Sequence, residues 1–546
     1  MDVRESIKNL IREALLGLGL DASVEVHLER PANSQHGDWS TNIALALAKK
    51  AELVPRDLAN EIKRVLEELY SEDISAIEVA GPGFINFYLD KSWLYDVLVQ
   101  VVTAGSDNWA RLGEGEGSEV IVEFVSANPT GPLHAGHGRG ACYGDSVARL
   151  LERSGYSVAR EFYVNDRGTQ MDLFAASLAA CVSGRDVPED GYHGTYIKEW
   201  AEEIPEGDDP LVWGKQRALT AHKEVLSDLN IEFDSWFSET SMVESGAIEE
   251  TLSMLEEANA SYQRDGATWL KSTEYDDDKD RVLVKSDGEY TYLLPDVAYH
   301  LDKLQRAERL VNVWGADHHG YITRMKAAVE SLGYDPKRLD VEVTQMVNLQ
   351  RSGEEVKLSK RTGDIVELSE VVKEVGPDAA RFTYLLQSID TTQTFDLDLV
   401  SRRVNENPVF YVQYAYARIR SMMKKADEVG FEPLPISEID LSKLQHSREL
   451  VLIRSLHELP EIVARATREL APHQITTWLR EFAADLHGFY HDCRVLGDEI
   501  EPSLTQARFV LMQGALIGLE VGMHLLGVSA PEEMWRDEVE SSEGDG

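Results

Sequence analysis

The sequence predicts an α/β domain built on a parallel sheet, with a small α+β domain before it and an all-helical domain after it. The parallel sheet is indicated by an apolar strand at 120–125, a helix carrying Val147 and Leu150, and a second strand near 157–164. This strand–helix–strand order implies parallel strands. A chain of 546 residues is long enough for several domains, each with its own core.

The α+β domain is predicted over residues 1–105. Its opening helix has one apolar face and carries acidic residues, unlike a basic signal peptide. It closes with a strand at 77–80, a Gly-Pro-Gly turn at 81–83 and a strand at 84–87. We therefore expect a self-contained small domain.

The α/β domain is predicted over residues 106–400. A polar interval near 186–280 shows no clear alternation, and strand and helix patterns resume at 310–314 and 321–332. We interpret these as two halves of one domain separated by an insertion.

The helical domain is predicted over residues 401–530, before an acidic tail at 531–546. Its apolar residues recur at three- and four-residue steps, as in Ile475, Trp478, Leu479, Phe482, Leu486 and Phe489. Polar residues interrupt even the most apolar stretch, 509–526, so we expect no membrane span.

The composition is strongly acidic. With 96 acidic and 54 basic residues the formal charge is −42, which argues against a polyanionic partner because phosphates are repelled. One interpretation is adaptation to concentrated salt, where screening removes most long-range repulsion. The other is an ordinary acidic cytosolic enzyme.

The cysteines are Cys142, Cys181 and Cys493, and no two of them form a Cys-x-x-Cys pair. The sequence therefore supports neither a disulfide framework nor a thiolate zinc site. A reducing compartment fits this usage.

A loop with two histidines follows the first strand of the α/β domain. His134, Gly136 and His137 lie where a helix begins, and helix N-termini at the carboxyl ends of parallel strands favour phosphate groups. The imidazoles could donate to phosphate oxygens, and Gly136 would let the backbone approach an adenine ring. The alternative is a pair of histidines that only cap the helix.

A basic loop lies far downstream in this acidic chain. Lys357, Ser359 and Lys360 belong to the segment Val-Lys-Leu-Ser-Lys-Arg-Thr-Gly. Lysines on a mobile loop can close over a triphosphate and neutralise the charge that grows on the leaving pyrophosphate. The alternative is a solvated charge cluster.

Together the two loops resemble the HIGH and KMSKS signatures of class I aminoacyl-tRNA synthetases. The flanking segments are similar to the arginyl-tRNA synthetase family: residues 36–42, 81–86, 122–124, 126–132, 144–145, 148–151, 163–166, 290–292 and 295–300. The resemblance covers nearly the whole chain. It implies a Rossmann-like catalytic domain, an N-terminal tRNA-binding domain and a C-terminal anticodon-binding domain, in a cytoplasmic monomer.

The resemblance also implies roles for pocket residues. Glu123 and Asn128 would hold the α-ammonium end of arginine, whereas Tyr292 and Asp296 would face its guanidinium. A carboxylate can take a guanidinium through two parallel charged hydrogen bonds. The alternatives are a satisfied buried carboxylate for Glu123, and for the other pair a tyrosine packed before a helix with an aspartate in its first turn. The roles of His318 and His319 are left open.

The implied reaction has two steps. The carboxylate of arginine attacks the α-phosphate of ATP, and the terminal 2′-hydroxyl of tRNA then takes the arginyl group. His134, His137, Lys357 and Lys360 would be catalytic, with ATP held by His134, Gly136, His137, Ser359 and Lys360. Magnesium would accompany ATP, the protein itself would hold no metal and no zinc, and activation would wait for bound tRNA(Arg).

The start of the helical domain suggests where the tRNA binds. Tyr411, Tyr414 and Tyr416 are interleaved with six basic residues, Arg402, Arg403, Arg418, Arg420, Lys424 and Lys425. These side chains could stack on and neutralise an unpaired anticodon. The tyrosines could equally belong to the core.

Three rival functions share parts of this pattern. Another class I synthetase, for glutamate or cysteine, would share the two loops but not the N-terminal domain. A nucleotidyltransferase for a small metabolite would explain neither flanking domain. An inactive RNA-binding relative would have no need of the histidines and lysines.

Overall fold

A computed structural model describes residues 3–31, 36–69, 74–356 and 366–535, and it has the predicted fold class. The chain forms two compact units, the first from residues 1–104, 433–457 and 492–514, and the second from residues 105–432, 458–491 and 515–546. The stretch predicted as one helical domain therefore contributes residues to both units.

The first unit contains the predicted α+β region. Its elements are α1 (Val3–Gly17), β1 (Trp39–Thr41), α2 (Ile43–Ala51), α3 (Pro55–Glu68), β2 (Ile74–Ala80), β3 (Phe84–Leu89) and most of α4 (Ser92–Asn108). The strands form an antiparallel sheet in the order β1-β3-β2. Gly83 in the β2–β3 turn has φ 144°, and an added Cβ would lie 2.9 Å from the Pro55 carbonyl oxygen, so only glycine suits this turn.

The second unit contains the α/β region, whose elements follow in chain order. They are β4 (Glu119–Glu123), α5 (Ala135–Arg153), β5 (Ser157–Val164), α6 (Thr169–Val182), α7 (Thr195–Glu203), α8 (Pro210–Asp228), β6 (Ser235–Ser238), α9 (Glu239–Glu244), α10 (Ala247–Glu257), β7 (Ser261–Arg264), β8 (Ala267–Leu270), β9 (Arg281–Val284), α11 (Leu293–Arg306), β10 (Arg309–Gly315), α12 (Ile322–Ser331), β11 (Leu339–Thr344), β12 (Val347–Arg351), β13 (Glu354–Glu355), α13 (Leu368–Val375), α14 (Pro377–Tyr384), β14 (Gln393–Asp396) and α15 (Leu397–Val400).

The central sheet of this unit is parallel throughout, in the order β11-β10-β4-β5-β6. Apolar residues such as Ile121, Val122, Leu310 and Val311 are buried, because helices cover both faces of a parallel sheet. From β4 the sheet extends through β5 to β6 on one side. The strands β10 and β11, which come later in the chain, extend it on the other side. The carboxyl ends of β4 and β10 thus border the topological switch point, where such sheets bind ligands.

The interval predicted as an insertion, 186–280, also contributes a strand to the central sheet. It supplies β6, which pairs with β5 at the edge of the central sheet. It also contains β7 and β8, which form an antiparallel sheet with β9, the strand that follows the interval. A strand as short as β6, with the sequence Ser-Trp-Phe-Ser, carries too little alternation to be detected from sequence.

Four long helices form the C-terminal region: α16 (Pro408–Glu428), α17 (Ser447–Arg468), α18 (His473–Asp492) and α19 (Pro502–Leu525). The predicted apolar face of α18 is buried, including Ile475, Trp478, Leu479 and Phe482. Within the ranges that the structure describes, no helix is both long and apolar enough to cross a membrane.

Helix α5 lies so close to the chain after β4 that one of its glycines has no room for a side chain. A Cβ at Gly144 would lie 2.2 Å from the buried ring of Phe124. Gly144→Ala should therefore destabilise the protein by about 1–3 kcal/mol, as overpacking of a core does, measured by urea denaturation.

The matched control is Gly140→Ala in the same helix. Its Cβ would meet Thr344 Oγ1 at 3.5 Å, an ordinary contact. This variant should be neutral or more stable by up to about 1 kcal/mol, because alanine is the better helix former. Equal destabilisation by both variants would contradict the close packing of α5.

Candidate active site

The two predicted histidines lie at the start of α5 and cap it reciprocally. His134 Nδ1 accepts from the Gly136 amide at 3.1 Å, and His137 Nδ1 accepts from the His134 amide at 3.2 Å. The ring centroids are 3.7 Å apart. The capping alternative is therefore part of the structure. It does not exclude the phosphate role. A neutral ring that accepts at Nδ1 carries its hydrogen on Nε2, which can donate to a phosphate oxygen.

The loop before these histidines is held from outside by two helices. The Tyr196 hydroxyl of α7 donates to the Thr130 carbonyl at 2.9 Å, and His222 Nε2 of α8 donates to the Gly131 carbonyl at 2.8 Å. Burial lowers the pKa of His222 to about 4, so its ring is neutral at ordinary pH. Sequence reasoning missed both residues, since nothing in their local sequence indicates the loop that they hold.

The histidine loop is joined to the chain that follows the predicted lysine loop. The Ala135 amide donates to the Val366 carbonyl at 2.9 Å, and the Leu368 amide donates to the Leu133 carbonyl at 2.8 Å. His134 and Glu367 form an antiparallel bridge. Lys357, Ser359 and Lys360 lie outside the described residues, but the chain that follows them is anchored beside the histidines.

Glu123 ends β4 and is only 6% exposed. Its Oε2 accepts from Lys303 Nζ at 2.6 Å and its Oε1 accepts from Ser126 Oγ at 2.9 Å. Val125 and Ser126 have φ of 70° and 43°, a left-handed conformation that costs about 1–3 kcal/mol for such residues and is often found at functional sites. Glu123 is thus a buried carboxylate with one hydrogen bond to each oxygen, a geometry that fits the alternative and leaves further acceptor sites.

Asn128 lies in the same loop and is fixed by the chain after β5. Its Nδ2 donates to the Asn165 carbonyl at 3.0 Å. The next residue, Asp166, accepts from Lys215 Nζ at 2.7 Å and from Ser238 Oγ at 2.8 Å. Burial raises the pKa of Asp166, but these hydrogen bonds outweigh it and hold the pKa below its usual value.

Asp296 lies in the first turn of α11, as the alternative predicted. Its carboxylate accepts from the Tyr321 hydroxyl at 2.7 Å. Burial raises the pKa of Asp296 to about 7, against the hydrogen bond from Tyr321, and the charges of Glu123 and Glu239 add to the rise. Burial also raises the pKa of Glu239. The site thus gathers three carboxylates, an arrangement that favours a cationic ligand.

Glu239, the first residue of α9, was not predicted. It follows the undetected strand β6, and it stands in a sequence rich in acidic residues. Tyr292 precedes α11 and is 91% exposed, so it is not the packed tyrosine of the alternative interpretation.

Known families match almost the whole chain. Residues 100–189 and 202–415 match the class I (R) tRNA synthetase catalytic domain. Residues 5–89 match the arginyl tRNA synthetase N terminal domain, and residues 412–534 match the DALR anticodon binding domain.

Two arginine–tRNA ligases are similar to this chain over nearly their full length. The arginine–tRNA ligase 1 of Halalkalibacterium halodurans is 44% identical, over 98% of this chain and 100% of the relative. The arginine–tRNA ligase of Geobacillus thermodenitrificans is 46% identical, over 97% of this chain and 99% of the relative.

The chain belongs to the arginyl-tRNA synthetase family. It is therefore a class I aminoacyl-tRNA synthetase and an arginine–tRNA ligase, with ATP as a substrate, and the predicted family is confirmed. The fold also matches the Thermus thermophilus arginyl-tRNA synthetase, with a TM-score of 0.77, 22% identity, and coverage of 97% of this chain and 100% of that one.

The tyrosines of α16 in the synthetase divide between core and surface. Tyr416 is 5% exposed and donates to Glu520 at 2.9 Å, so it belongs to the core. Tyr411 and Tyr414 are partly exposed, and their rings pack against His487 with centroids 4.5 and 5.9 Å away.

The basic residues of α16 in the synthetase are partly engaged by neighbours within the same unit. Arg420 pairs with Glu532, Lys424 pairs with Glu533 at 3.1 Å, and Arg418 lies over the Tyr490 ring. His318 and His319 of the synthetase lie in a short 3-10 helix, Ala316–Tyr321, directly after β10. Their backbone is thus at the switch point.

Proposed function

We propose that the synthetase activates arginine at the switch point between β4 and β10 and then transfers it to the 3′ end of tRNA(Arg). In the first step the carboxylate of arginine attacks the α-phosphate of ATP, and pyrophosphate leaves. In the second step the terminal 2′-hydroxyl of the tRNA attacks the adenylate, and AMP leaves. The observation that carries the proposal is the bridge between His134 and Glu367, beside a pocket of three carboxylates.

ATP binds at the start of α5. The Nε2–H groups of His134 and His137 donate to phosphate oxygens, and Gly136 allows the adenine to approach the backbone. Lys360 is only six residues before the anchored Val366 in the sequence. Lys357 and Lys360 neutralise the pyrophosphate as it leaves, and Ser359 contributes to the same loop.

Arginine lies along the carboxylates. Asp296 and Glu239 take the guanidinium, and Tyr292 covers it. Glu123 and Asn128 take the α-ammonium group. A guanidinium can meet a carboxylate through two parallel hydrogen bonds, which the single ammonium of lysine cannot do. Selection of this kind needs no separate editing site.

Magnesium, the tRNA and a cytoplasmic location complete the proposed function. Magnesium enters with ATP, bound mainly by its phosphates; over the described ranges, no group of three or more His, Cys, Asp or Glu side chains could hold a metal ion. The synthetase works as a cytoplasmic monomer without zinc. The N-terminal region, to about residue 105, binds the tRNA, and Tyr411 and Tyr414 are the tyrosines best exposed for anticodon stacking.

The function is tested by ATP–pyrophosphate exchange with each amino acid, with and without tRNA(Arg). We expect exchange with arginine alone, and only when the tRNA is bound. Lysine is the critical control, because it has the same charge and a similar length. Exchange with glutamate, or exchange that never depends on RNA, would contradict the proposal.

The pocket is tested by the pH dependence of arginine binding. A guanidinium needs the ionised form of Asp296, whose pKa is raised to about 7 by burial. Affinity for arginine should therefore weaken by up to about tenfold per pH unit below 7 and become level above it. Isothermal titration calorimetry from pH 6 to pH 8.5 measures this.

The control for this pH series is Asp296→Asn. It should bind arginine weakly and with little change across the same pH range, while ATP binding stays as in the wild type. A flat profile in the wild-type synthetase would contradict the proposed contact between Asp296 and the guanidinium of arginine.

The acidic surface is proposed to suit concentrated salt. The formal charge is −42, and in concentrated salt counterion release contributes little to tRNA binding, so stacking and shape must contribute more. Affinity for tRNA(Arg) should fall by less than about tenfold between about 0.1 M and about 1 M KCl. The Bacillus subtilis arginine–tRNA ligase, 42% identical, is the reference, and a fall as steep as in an ordinary nucleic-acid complex would refute the salt proposal.

A further inference from the structure

A fully buried lysine lies behind the arginine pocket, and its two hydrogen-bond partners come from the strands β4 and β10. Lys303 is 0% exposed, on the face of α11 that also carries Asp296, Tyr299 and His300, since these residues are three or four apart. Its ammonium donates to Glu123 Oε2 at 2.6 Å and to Asn312 Oδ1 at 2.9 Å, and it lies 4.3 Å from the centroid of the Tyr299 ring. These three contacts match the three N–H groups of an ammonium.

The orientation of each group in this network is determined by the next one. Asn312 Nδ2 donates to His300 Nε2 at 2.8 Å, and His300 Nδ1 donates to the Asp296 carbonyl at 2.7 Å. Burial, with the charge of Lys303, holds the pKa of His300 well below its usual value. His300 is therefore neutral, with its hydrogen on Nδ1. A connected set of hydrogen bonds thus runs from the backbone of Asp296 to the carboxylate of Glu123, with Lys303 as the donor in both directions.

We propose that Lys303 is a positioning residue for arginine activation, which holds Glu123 in place for the α-ammonium and offsets the charge of the pocket carboxylates. This inference rests on the proposed roles of Glu123 and Asp296. With one Glu123 oxygen bound to Ser126 and the other to Lys303, the plane of the carboxylate is fixed. A carboxylate accepts about four hydrogen bonds, so acceptor sites remain for the substrate.

The charge of Lys303 also bears on Asp296. The groups that act on Asp296 are Tyr321 after β10, Glu123 on β4, Glu239 on α9 and Lys303 on its own helix, and Lys303 lowers its pKa. Behind Lys303, Tyr299 donates to Glu161, which Arg306 also binds through two hydrogen bonds of 2.9 and 3.0 Å. Glu161 is thus already neutralised, and Lys303 remains to balance Glu123.

A purely structural role is the competing explanation. Buried ion pairs can often be replaced by apolar groups of similar volume without loss of stability. The two roles differ in their consequences, because a structural lysine would not set the pH at which arginine binds.

The test compares Lys303→Met, Lys303→Gln and Lys303→Arg by calorimetric titration with arginine and with ATP across pH, beside thermal unfolding. Lys303→Met should weaken arginine binding by about 100-fold, as loss of one partner of a buried pair does, and leave ATP binding within about twofold of the wild type. Lys303→Gln keeps hydrogen-bonding atoms without the charge, so its loss should be smaller.

The pH midpoint separates charge from shape. In Lys303→Met and Lys303→Gln the midpoint for arginine should move to higher pH by about one unit, whereas Lys303→Arg should keep the wild-type midpoint. An unchanged midpoint in both uncharged variants, equal losses for arginine and ATP, or failure of both uncharged variants to fold would overturn the proposal. A wild type without any midpoint would instead refute the assignment of Asp296, and the loss of arginine affinity in Lys303→Met relative to ATP would then decide whether Lys303 positions Glu123.

Discussion

The proposed site depends on two backbone hydrogen bonds, which link Leu133 and Ala135 to Leu368 and Val366. They join segments from the two halves of the α/β region that are far apart in sequence. A buried guanidinium strengthens the same junction, since Arg139 of α5 donates to the carbonyls of Gln345 and Thr391 at 3.2 and 2.6 Å, and to the Ser388 carbonyl. Without this junction, the histidines and the chain after the lysine loop would not lie side by side, as the proposed ATP site requires.

Parts of the fold that depend on local pattern were predictable from the sequence. The strands near 120–125 and 310–314 are largely apolar, because both faces of a parallel sheet are buried, and they match β4 and β10. The predicted strand near 157–164 matches β5. The short strand β6 was missed, and with it Glu239. The pairing of Lys303 could not be predicted either, because its partners come from β4 and β10, and a lysine on an amphipathic helix is ordinarily solvated.

Buried positive charges show how an acidic chain uses its limited number of basic residues. Arg381 is 0% exposed and pairs with Asp145, a carboxylate that also binds Arg149 at 2.7 Å and Arg160 at 3.2 Å. Three cations converge there on one carboxylate of α5. Exposed pairs such as Lys424 with Glu533 contribute about 0–1 kcal/mol. A tRNA phosphate could therefore replace the carboxylate of a surface pair at a small cost in free energy. The buried cations are held by their carboxylate inside the protein.

The histidines of α5 cap the helix in a way that is compatible with the proposed phosphate binding. Each Nδ1 accepts an amide hydrogen of the first turn, so each neutral ring carries its hydrogen on Nε2. In the proposed ATP site the backbone thus sets the tautomer of both donors before ATP binds. A serine or threonine cap would also satisfy the helix, but its hydroxyl would be used at the amide. A side chain with two separate polar atoms, such as histidine, can cap the helix with one atom and donate to the proposed phosphate with the other.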